Sequence, residues 1–258
     1  MPRTVVITGA SSGLGEALAL RYAGGGARLG LIGRNGSRLD DVAARARAAG
    51  ASQIEVATID VRAKVELAAW IEAFDRYAPI DLMIANAGVV GGTTMAGMVE
   101  SVEDSQAIFS VNVLGALNTI HAVLPHMMGR QSGQIAVMSS LAGFIRIPDL
   151  PSYSASKAAI MSYALSLRDA LRAHGVRVNV VCPGYVDTPM ARQLRGTKAF
   201  MVTPSTAAQA IERGLARDKR LIAFPFLLAS MTRTATILPA ALVRTFAPKF
   251  RVSTREAD

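Results

Sequence analysis

Tyr153 and Lys157 stand four residues apart in the stretch P-S-Y-S-A-S-K-A-A-I. On a helix that spacing stacks a phenol and an ammonium on one face, with Cβ atoms about 6 Å apart. A free phenol titrates at about pH 10, and a neighbouring cation favours the phenolate, drawing the pKa toward the range where a general acid or base works at neutral pH. Proton transfer is the chemistry the pair suggests. An exposed Tyr and Lys share a helix face in many proteins, so the reading depends on what surrounds them.

A second constellation lies near the start of the chain. Thr8-Gly9-Ala10-Ser11-Ser12-Gly13-Leu14-Gly15 follows a short apolar run and opens a helical stretch. Free backbone N–H groups and the positive end of the helix dipole favour a phosphate there, and glycine lets the backbone turn sharply and approach a pyrophosphate. Its spacing, G-x-x-x-G-x-G, differs from the G-x-G-x-x-G dinucleotide fingerprint. The same residues satisfy G-x-S-x-G, the nucleophile elbow of α/β-hydrolases, which would make Ser11 a nucleophile. That alternative is disfavoured. The elbow would sit on the first strand, before the chain has built the strands and oxyanion loop it needs, and His121, His126 and His174 are the bases on offer.

Both constellations need a scaffold. Apolar runs alternate with stretches of helical period, so strands are expected over residues 4–8, 28–32, 53–58, 81–85, 134–139, 176–181 and 219–225. Helices are expected over 14–23, 37–49, 63–77, 102–128 and 152–174. Parallel strands joined by right-handed helical crossovers make this α/β, a Rossmann-like doubly wound parallel sheet of about seven strands with helices on both faces. Ligands bind such sheets at the carboxyl ends of the strands. The turns there read T-G-A-S-S-G-L-G, G-R-N, D-V, N-A-G, S-S and P-G, so glycine and polar residues collect on one edge. After the second strand, an acidic residue would accept from the ribose of NAD, whereas a basic one suits the 2′-phosphate of NADP. Gly33-Arg34-Asn35 stands at that point, so Arg34 favours NADP(H), with NAD(H) as the alternative.

Taken in order, these residues resemble the short-chain dehydrogenase/reductase family over about residues 4 to 224. The matching motifs are T-G-A-S-S-G-L-G, N-A-G at Asn86-Ala87-Gly88, Asn112 in S-V-N-V, Ser140 in M-S-S, Y-S-A-S-K, and P-G-Y-V-D-T from Pro183 to Thr188. The resemblance implies a catalytic tetrad of Asn112, Ser140, Tyr153 and Lys157. Tyr153 would give or take the hydroxyl proton, and Ser140 would hydrogen-bond the substrate oxygen. Lys157 would lower the Tyr153 pKa and hold the nicotinamide ribose, while Asn112 would help position a water that links Lys157 to solvent. For the cofactor it implies the glycine turn, Thr8, Gly9, Ser11, Ser12, Gly13, Leu14 and Gly15. It adds Asp60 and Val61 at the adenine, Asn86, Ala87 and Gly88 alongside, and Pro183, Gly184, Val186 and Thr188, the last holding the carboxamide. Individually some of these have plainer readings. Asn112 could be a polar helix residue, Ser139 replaces Ser140 if the strand is registered differently, and Asp187 suits a helix cap or turn.

Composition narrows the rest. Apolar residues make up 51% of the 258 and aromatics 5%, as suits parallel strands covered by helices. No linker, low-complexity tract or repeat divides the chain, so residues 1–225 are expected to form one dinucleotide-binding catalytic domain. The lone cysteine, Cys182, excludes an internal disulfide and sits in an apolar run that suggests an inert thiol. The apolar run at the N-terminus is too short for a signal peptide, and a cytoplasmic protein is expected. The histidines lack metal-ligand spacing, and no metal is expected. Net charge is +9. From Ala191 onward twelve Lys and Arg face four Asp and Glu, so the excess is regional. No basic residues interleave with aromatics and no groove-reading motif is present, so no nucleic acid partner is expected.

The end of the chain departs from the family pattern. Many members finish on a glycine-rich strand that packs a tetramer, and this chain lacks it, so a homodimer is expected. Residues 226–258 form instead an apolar and basic extension of the same domain, expected to be helical. Arg233 and Arg244 divide it into uncharged runs too short to span a bilayer. Three roles are open: a cover for the substrate pocket, a dimer contact, or peripheral contact with an anionic membrane surface, the last less favoured. The expected activity is interconversion of a carbonyl and an alcohol on an apolar small molecule. A catalytically idle NADP-binding or membrane-associated regulatory protein is the alternative.

Overall fold

The computed structural model describes residues 2–92, 100–196, 198–235 and 253–254. Five short apolar runs build the middle of one sheet: β1 (Thr4–Thr8), β2 (Arg28–Gly33), β4 (Leu82–Ala85), β5 (Gly133–Met138) and β6 (Val176–Pro183). β3 (Gln53–Thr58) and β8 (Leu221–Phe224) close its two ends, giving seven parallel strands in the order β3-β2-β1-β4-β5-β6-β8. The chain steps outward from β1 to β3, then returns to lay β4 on the free side of β1. Val6 therefore pairs with Gly30 on one side and Met83 on the other. Neighbouring connections leave in opposite directions at this point, which opens a crevice above the carboxyl ends of β1 and β4.

Strand side chains alternate between two cores. Val5 and Ile7 face a layer containing Leu18 and Tyr22 of α1 (Gly13–Ala23), Leu39 and Val42 of α2 (Gly36–Ala48), and Ile211 and Leu215 of α8 (Pro204–Ala216). Val6 faces the opposite layer. There it meets Leu67, Ile71 and Phe74 of α3 (Lys64–Tyr77), Ile120 and Val123 of α5 (Ala116–Gly129), and Ile160 and Ala164 of α6 (Pro151–Ala170). Gly30 shows how tightly that layer packs, since a Cβ on it would stand 2.8 Å from the Trp70 ring and 2.9 Å from Val6.

The expected long helix over 102–128 is present but not uniform. It runs as α4 (Val102–Phe109), a π-helical segment over Ser110–Gly115, and α5. A π turn accommodates an extra residue and commonly marks a functional position; Asn112 lies inside it. Val102–Gly129 is also long and apolar enough to cross a membrane by length and composition. Its inward residues, such as Ile108, Ile120 and Val123, are instead spent on the core between α3 and α6.

Several boundaries differ from the sequence reading. The helix expected over 152–174 ends at Ala170 and finishes as a 3₁₀ turn, Arg172–His174, with Gly175 at φ +67° turning the chain into β6. The last strand of the sheet is shorter than expected, Leu221–Phe224. α8 and the short α7 (Pro189–Arg192) are additional elements, each begun by a threonine cap followed by proline. The extension begins with a helix, α9 (Phe226–Ala235), as expected. It does not stay helical to the end: β9 (Ser253–Thr254) pairs antiparallel with β7 (Leu194–Arg195), because backbone groups of that short strand are left for a partner. The expected helix over 236–252 lies outside the described residues.

At the other edge of the sheet a buried carboxylate fastens α3 to α5. Asp75 Oδ1 accepts from the Ile80 amide at 2.7 Å, and both Asp75 carboxylate oxygens accept from Arg130 Nη1 at 2.9 and 3.0 Å, while Arg130 Nη2 donates to the Ile80 carbonyl at 2.7 Å. Removing the guanidinium strands a buried charge. Arg130→Ala should therefore lower unfolding free energy by on the order of 3 kcal/mol, read by urea denaturation, with the activity of the remaining folded protein intact.

Candidate active site

The glycine turn is built as its sequence requires. Gly9 and Gly13 take φ of +67° and +59°, a region that side chains disfavour. Gly15 has no room for a Cβ, which would stand 2.2 Å from the Gly9 carbonyl oxygen. Asn86, just after β4, ties the turn down: its Nδ2 donates to the carbonyls of Thr8 at 2.9 Å and Gly9 at 3.2 Å. Thr8 itself is buried, and its hydroxyl accepts from the amides of Asn86 and Ala87. Thr8 thus supports the turn from behind, and among the described residues it is not one of those that line the cavity in front. Ser12 is the N-cap of α1 yet makes no capping hydrogen bond with its side chain. Backbone donors at that helix end are left for an outside acceptor, the arrangement that binds phosphate.

In front of the turn lies a cavity of about 1600 Å³. Of the expected cofactor residues, Gly9, Ser11, Ser12, Gly13, Leu14, Gly15, Arg34, Asp60, Val61, Asn86, Ala87, Gly88, Pro183, Gly184, Val186 and Thr188 all line it. Tyr153 and Lys157 line it too. Six turns distant in sequence thus meet at one sheet edge, as the alternation of elements requires. The lining contains no histidine, so Ser11 lacks the base a hydrolase needs. Asp60 is held by Arg62 through its amide and guanidinium, and that hydrogen bonding keeps its carboxyl below the usual range. Asn35 and Arg38 also line the cavity, one caused by the other: Asn35 caps α2 by accepting from the Arg38 amide at 2.9 Å, which fixes the helix start beside Arg34. The sequence reading passed over Arg38 because it stands four residues beyond the strand end, inside the next helix; its i,i+4 relation to Arg34 was the available signal.

The catalytic candidates come from three elements. α6 carries Tyr153 and Lys157 on one face, with Lys157 Nζ 5.8 Å from the Tyr153 ring centre. Ser140 follows β5 and hydrogen-bonds the Tyr153 hydroxyl. Its own oxygen also accepts from the Ala142 amide at 3.1 Å, which fixes its direction. Ser139, the alternative, also lines the cavity, but its hydroxyl is already engaged, donating to the Lys157 carbonyl at 2.8 Å. Asn112 is buried in the π-helical segment, where Oδ1 accepts from the Val89 amide at 2.8 Å. Its Nδ2 donates to the Val89 carbonyl at 2.9 Å and to Ser156 Oγ at 3.1 Å. Asn112 therefore clamps the strand-end turn after β4 against α6. One lone pair of Oδ1 remains, and it faces a gap left by Gly88. A Cβ on Gly88 would stand 3.2 Å from that oxygen and 3.3 Å from Lys157 Nζ.

The electrostatics correct one expectation. Burial pushes the Tyr153 phenol up, the Ser140 hydrogen bond offsets part of that, and Tyr185 and Cys182 add to the rise. Lys157 is not among the groups that shift the phenol in the protein alone, and burial is the largest influence on it. Lys157 itself falls to about 8 through burial, opposed by Cys182. Its Nζ donates to the Met138 carbonyl at 3.1 Å. Cys182 is buried and pushed up to about 12, an inert thiol as expected. Asp187 pairs with Arg192 at 3.0 Å, and the cap of α7 belongs to Thr188. Among the described residues no cluster of His, Cys, Asp and Glu could hold a metal ion.

A family model described as short chain dehydrogenase matches residues 3–199. An oxidoreductase of Myxococcus xanthus, itself uncharacterized, is 38% identical over 96% of this chain and 98% of its own. A ketoacyl reductase of Nostoc sp. is 36% identical over 83% of this chain and 75% of its own. Among solved structures, a short chain dehydrogenase from Mycobacterium paratuberculosis bound to NAD superposes with a TM-score of 0.75 at 26% identity, covering 86% of this chain and 94% of that one. A glycine-cradled crevice at the switch point, a half-buried Tyr153 beside a buried Lys157 and these likenesses have one explanation: the chain belongs to the short-chain dehydrogenase family of oxidoreductases, which act on CH–OH groups.

Proposed function

We propose that this protein is an NADP(H)-dependent oxidoreductase that interconverts a carbonyl and an alcohol on an apolar small molecule, with Tyr153 as general acid and base. The observation that carries the reading is that Tyr153 and Lys157 line the cavity the glycine turn opens onto, with Ser140 hydrogen-bonded to the Tyr153 hydroxyl. NADPH, when bound, supplies a hydride to the carbonyl carbon. The glycine turn and the free N–H groups of α1 suit its pyrophosphate, and Val61, Gly88 and Thr188 lie along the rest of the crevice. Reduction builds negative charge on the carbonyl oxygen. The Tyr153 phenol gives that oxygen its proton while the Ser140 hydroxyl donates a hydrogen bond, and both contacts strengthen as charge develops. A phenol with a raised pKa carries its proton throughout the neutral range, which suits the reductive direction. The Lys157 ammonium stabilises the phenolate left behind. The gap between its Nζ and Asn112 Oδ1 fits one bridging water, a route for returning the proton.

The alkaline side of the pH profile tests Lys157. Below its pKa of about 8 the ammonium is charged and supports proton loss from Tyr153; above it that support disappears. We expect kcat/KM for carbonyl reduction to be level below this point and to fall as pH rises through about 8, because kcat/KM reports groups of the free enzyme. A profile flat to well beyond that pH contradicts the assignment.

Cofactor preference rests on Arg34 and Arg38, two guanidinium groups beside the end of β2, where the nearby carboxylate, Asp60, is already held by Arg62. The NAD in the Mycobacterium paratuberculosis structure keeps the other cofactor in view. Titration of NADPH and NADH into the protein decides between them. The double variant Arg34→Ala, Arg38→Ala should weaken NADPH binding by on the order of a hundredfold and leave NADH unchanged, since each charge-assisted contact contributes about 1.5–3 kcal/mol.

Residues 1–225 are read as the catalytic domain and 226–258 as an extension of it that covers the substrate end of the cavity or contacts a second subunit. Leu228 and Met231 line the cavity, and β9 returns to β7 beside Leu194, another lining residue. That placement favours a cover over a membrane contact. A homodimer is consistent with the apolar residues left exposed on the α4 and α5 side, Val102, Phe109 and Leu114. A cytoplasmic location suits the single reduced thiol.

A further inference from the structure

At about 1600 Å³ the cavity exceeds the roughly 300–1,000 Å³ of a site for one small molecule. A nicotinamide cofactor therefore leaves space for a second sizeable ligand. Beyond Tyr153 the walls are apolar, formed by Ile145, Ile147, Leu150, Leu194, Leu228 and Met231. One cation breaks that surface: Arg146, exposed between Ile145 and Ile147 and lining the same cavity.

The charge pattern sets Arg146 apart. Among the described lining residues Asp60, at the cofactor end, is the one carboxylate, and Arg62 already holds it. Some arginines elsewhere are committed, Arg130 to Asp75, Arg168 to Asp218 and Arg192 to Asp187, while Arg34 and Arg38 line the same cavity at its cofactor end. Among the described residues, none supplies Arg146 with a carboxylate or a hydrogen-bond acceptor. Lys157, the other cation near Tyr153, is buried against the Met138 carbonyl and faces the reacting group.

We infer that Arg146 is a substrate-recognition residue, and that the substrate is an anionic amphiphile: an apolar body carrying the carbonyl, with a carboxylate or phosphate at its outer end. This rests on the carbonyl-reductase reading above and names its substrate class. A guanidinium presents a planar fork that meets either oxyanion with two parallel hydrogen bonds. Apolar walls bury the body of such a molecule, and the fork then fixes which end enters first, so that the carbonyl reaches Tyr153 rather than the mouth. A neutral chain of the same length would fill the walls equally well. It would also desolvate an unpaired cation, so Arg146 selects against it.

The test is binding, measured by titration calorimetry on the full-length protein saturated with NADP. The probes are a medium-chain keto acid, its methyl ester, and the phosphate monoester of the matching keto alcohol. We expect the acid, the phosphate or both to bind at least about tenfold tighter than the ester, as an added charge-assisted contact implies. Arg146→Gln should erase that margin without altering NADPH affinity or the thermal midpoint, and Arg146→Lys should restore part of it. The acid and phosphate arms distinguish the two oxyanions, and either preference supports the inference. Equal binding of acid and ester, no binding of any probe, or a margin that survives Arg146→Gln overturns it. Turnover separates the two levels: an ester reduced as well as the acid sinks only this inference. An acid that binds through Arg146 and is never reduced sinks the carbonyl-reductase reading and leaves the subsite standing.

Discussion

Replacing Tyr153 with Phe should lower kcat for carbonyl reduction by about a hundred- to ten-thousandfold while NADPH still binds. The substitution removes one oxygen and keeps the ring, so packing beside Tyr185, Ile147, Leu150 and Leu194 is preserved. What is lost is the proton donor. Ser140 remains, but a serine hydroxyl anchored by the Ala142 amide can only share its hydrogen; it has no neighbouring cation to stabilise the oxyanion it would become. Steady-state kinetics beside a fluorescence titration of NADPH separates the two effects. A variant that keeps its kcat would show that the phenol is a packing residue and that the proton comes from elsewhere.

The second large effect is expected at Gly15. Glycine to alanine inside a helix ordinarily gains about 1 kcal/mol. In α1 the added Cβ would meet the Gly9 carbonyl oxygen at 2.2 Å and Asn86 Nδ2 at 2.7 Å. Neither neighbour can step aside, because Gly9 is fixed at φ +67° and Asn86 is bonded to the backbone of Thr8 and Gly9. Gly15→Ala should therefore destabilise the fold by about 1–3 kcal/mol and weaken NADPH binding by on the order of ten- to a hundredfold. Gly129→Ala is the matching control. A Cβ there meets nothing within 4 Å, so stability should hold or rise and cofactor binding should not change.

The fold was largely legible because burial on both faces of a parallel sheet leaves strands as uninterrupted apolar runs, T-V-V-I-T and R-L-G-L-I-G among them. The glycine turn was legible for a different reason: glycine adopts the positive φ of Gly9 and Gly13 without the strain a side chain brings. Elements whose identity depends on tertiary contacts were not. α8 is a different case, a helix whose signals stand in the sequence but went unread: the cap Thr203-Pro204, and Ala207, Ala208, Ile211 and Leu215 at helical spacing on its buried face. The π-helical segment around Asn112 has the composition of an ordinary helix, and what distinguishes it is the clamp on Val89, a contact between residues 23 apart.

The site shows the same division. Spacing alone placed Tyr153 and Lys157 together. It gave the wrong sign for the phenol, because spacing reports proximity and says nothing of desolvation, the largest influence on Tyr153. It also could not tell Ser139 from Ser140; that depends on which hydroxyl the Lys157 carbonyl claims. Arg146 is likewise silent in sequence, as one more loop arginine, until the fold sets it against apolar walls.

The central claim is that this cavity joins reduced cofactor to carbonyl through Tyr153. It is tested most directly by incubating the protein with NADPH and a panel of apolar carbonyl compounds, following loss of reduced cofactor and appearance of alcohol in the same sample. The account predicts equal amounts of NADPH consumed and alcohol formed for at least one compound, with both falling to background in the Tyr153→Phe variant. NADPH bound tightly by the native protein, with no alcohol from any carbonyl beyond that background, would contradict it.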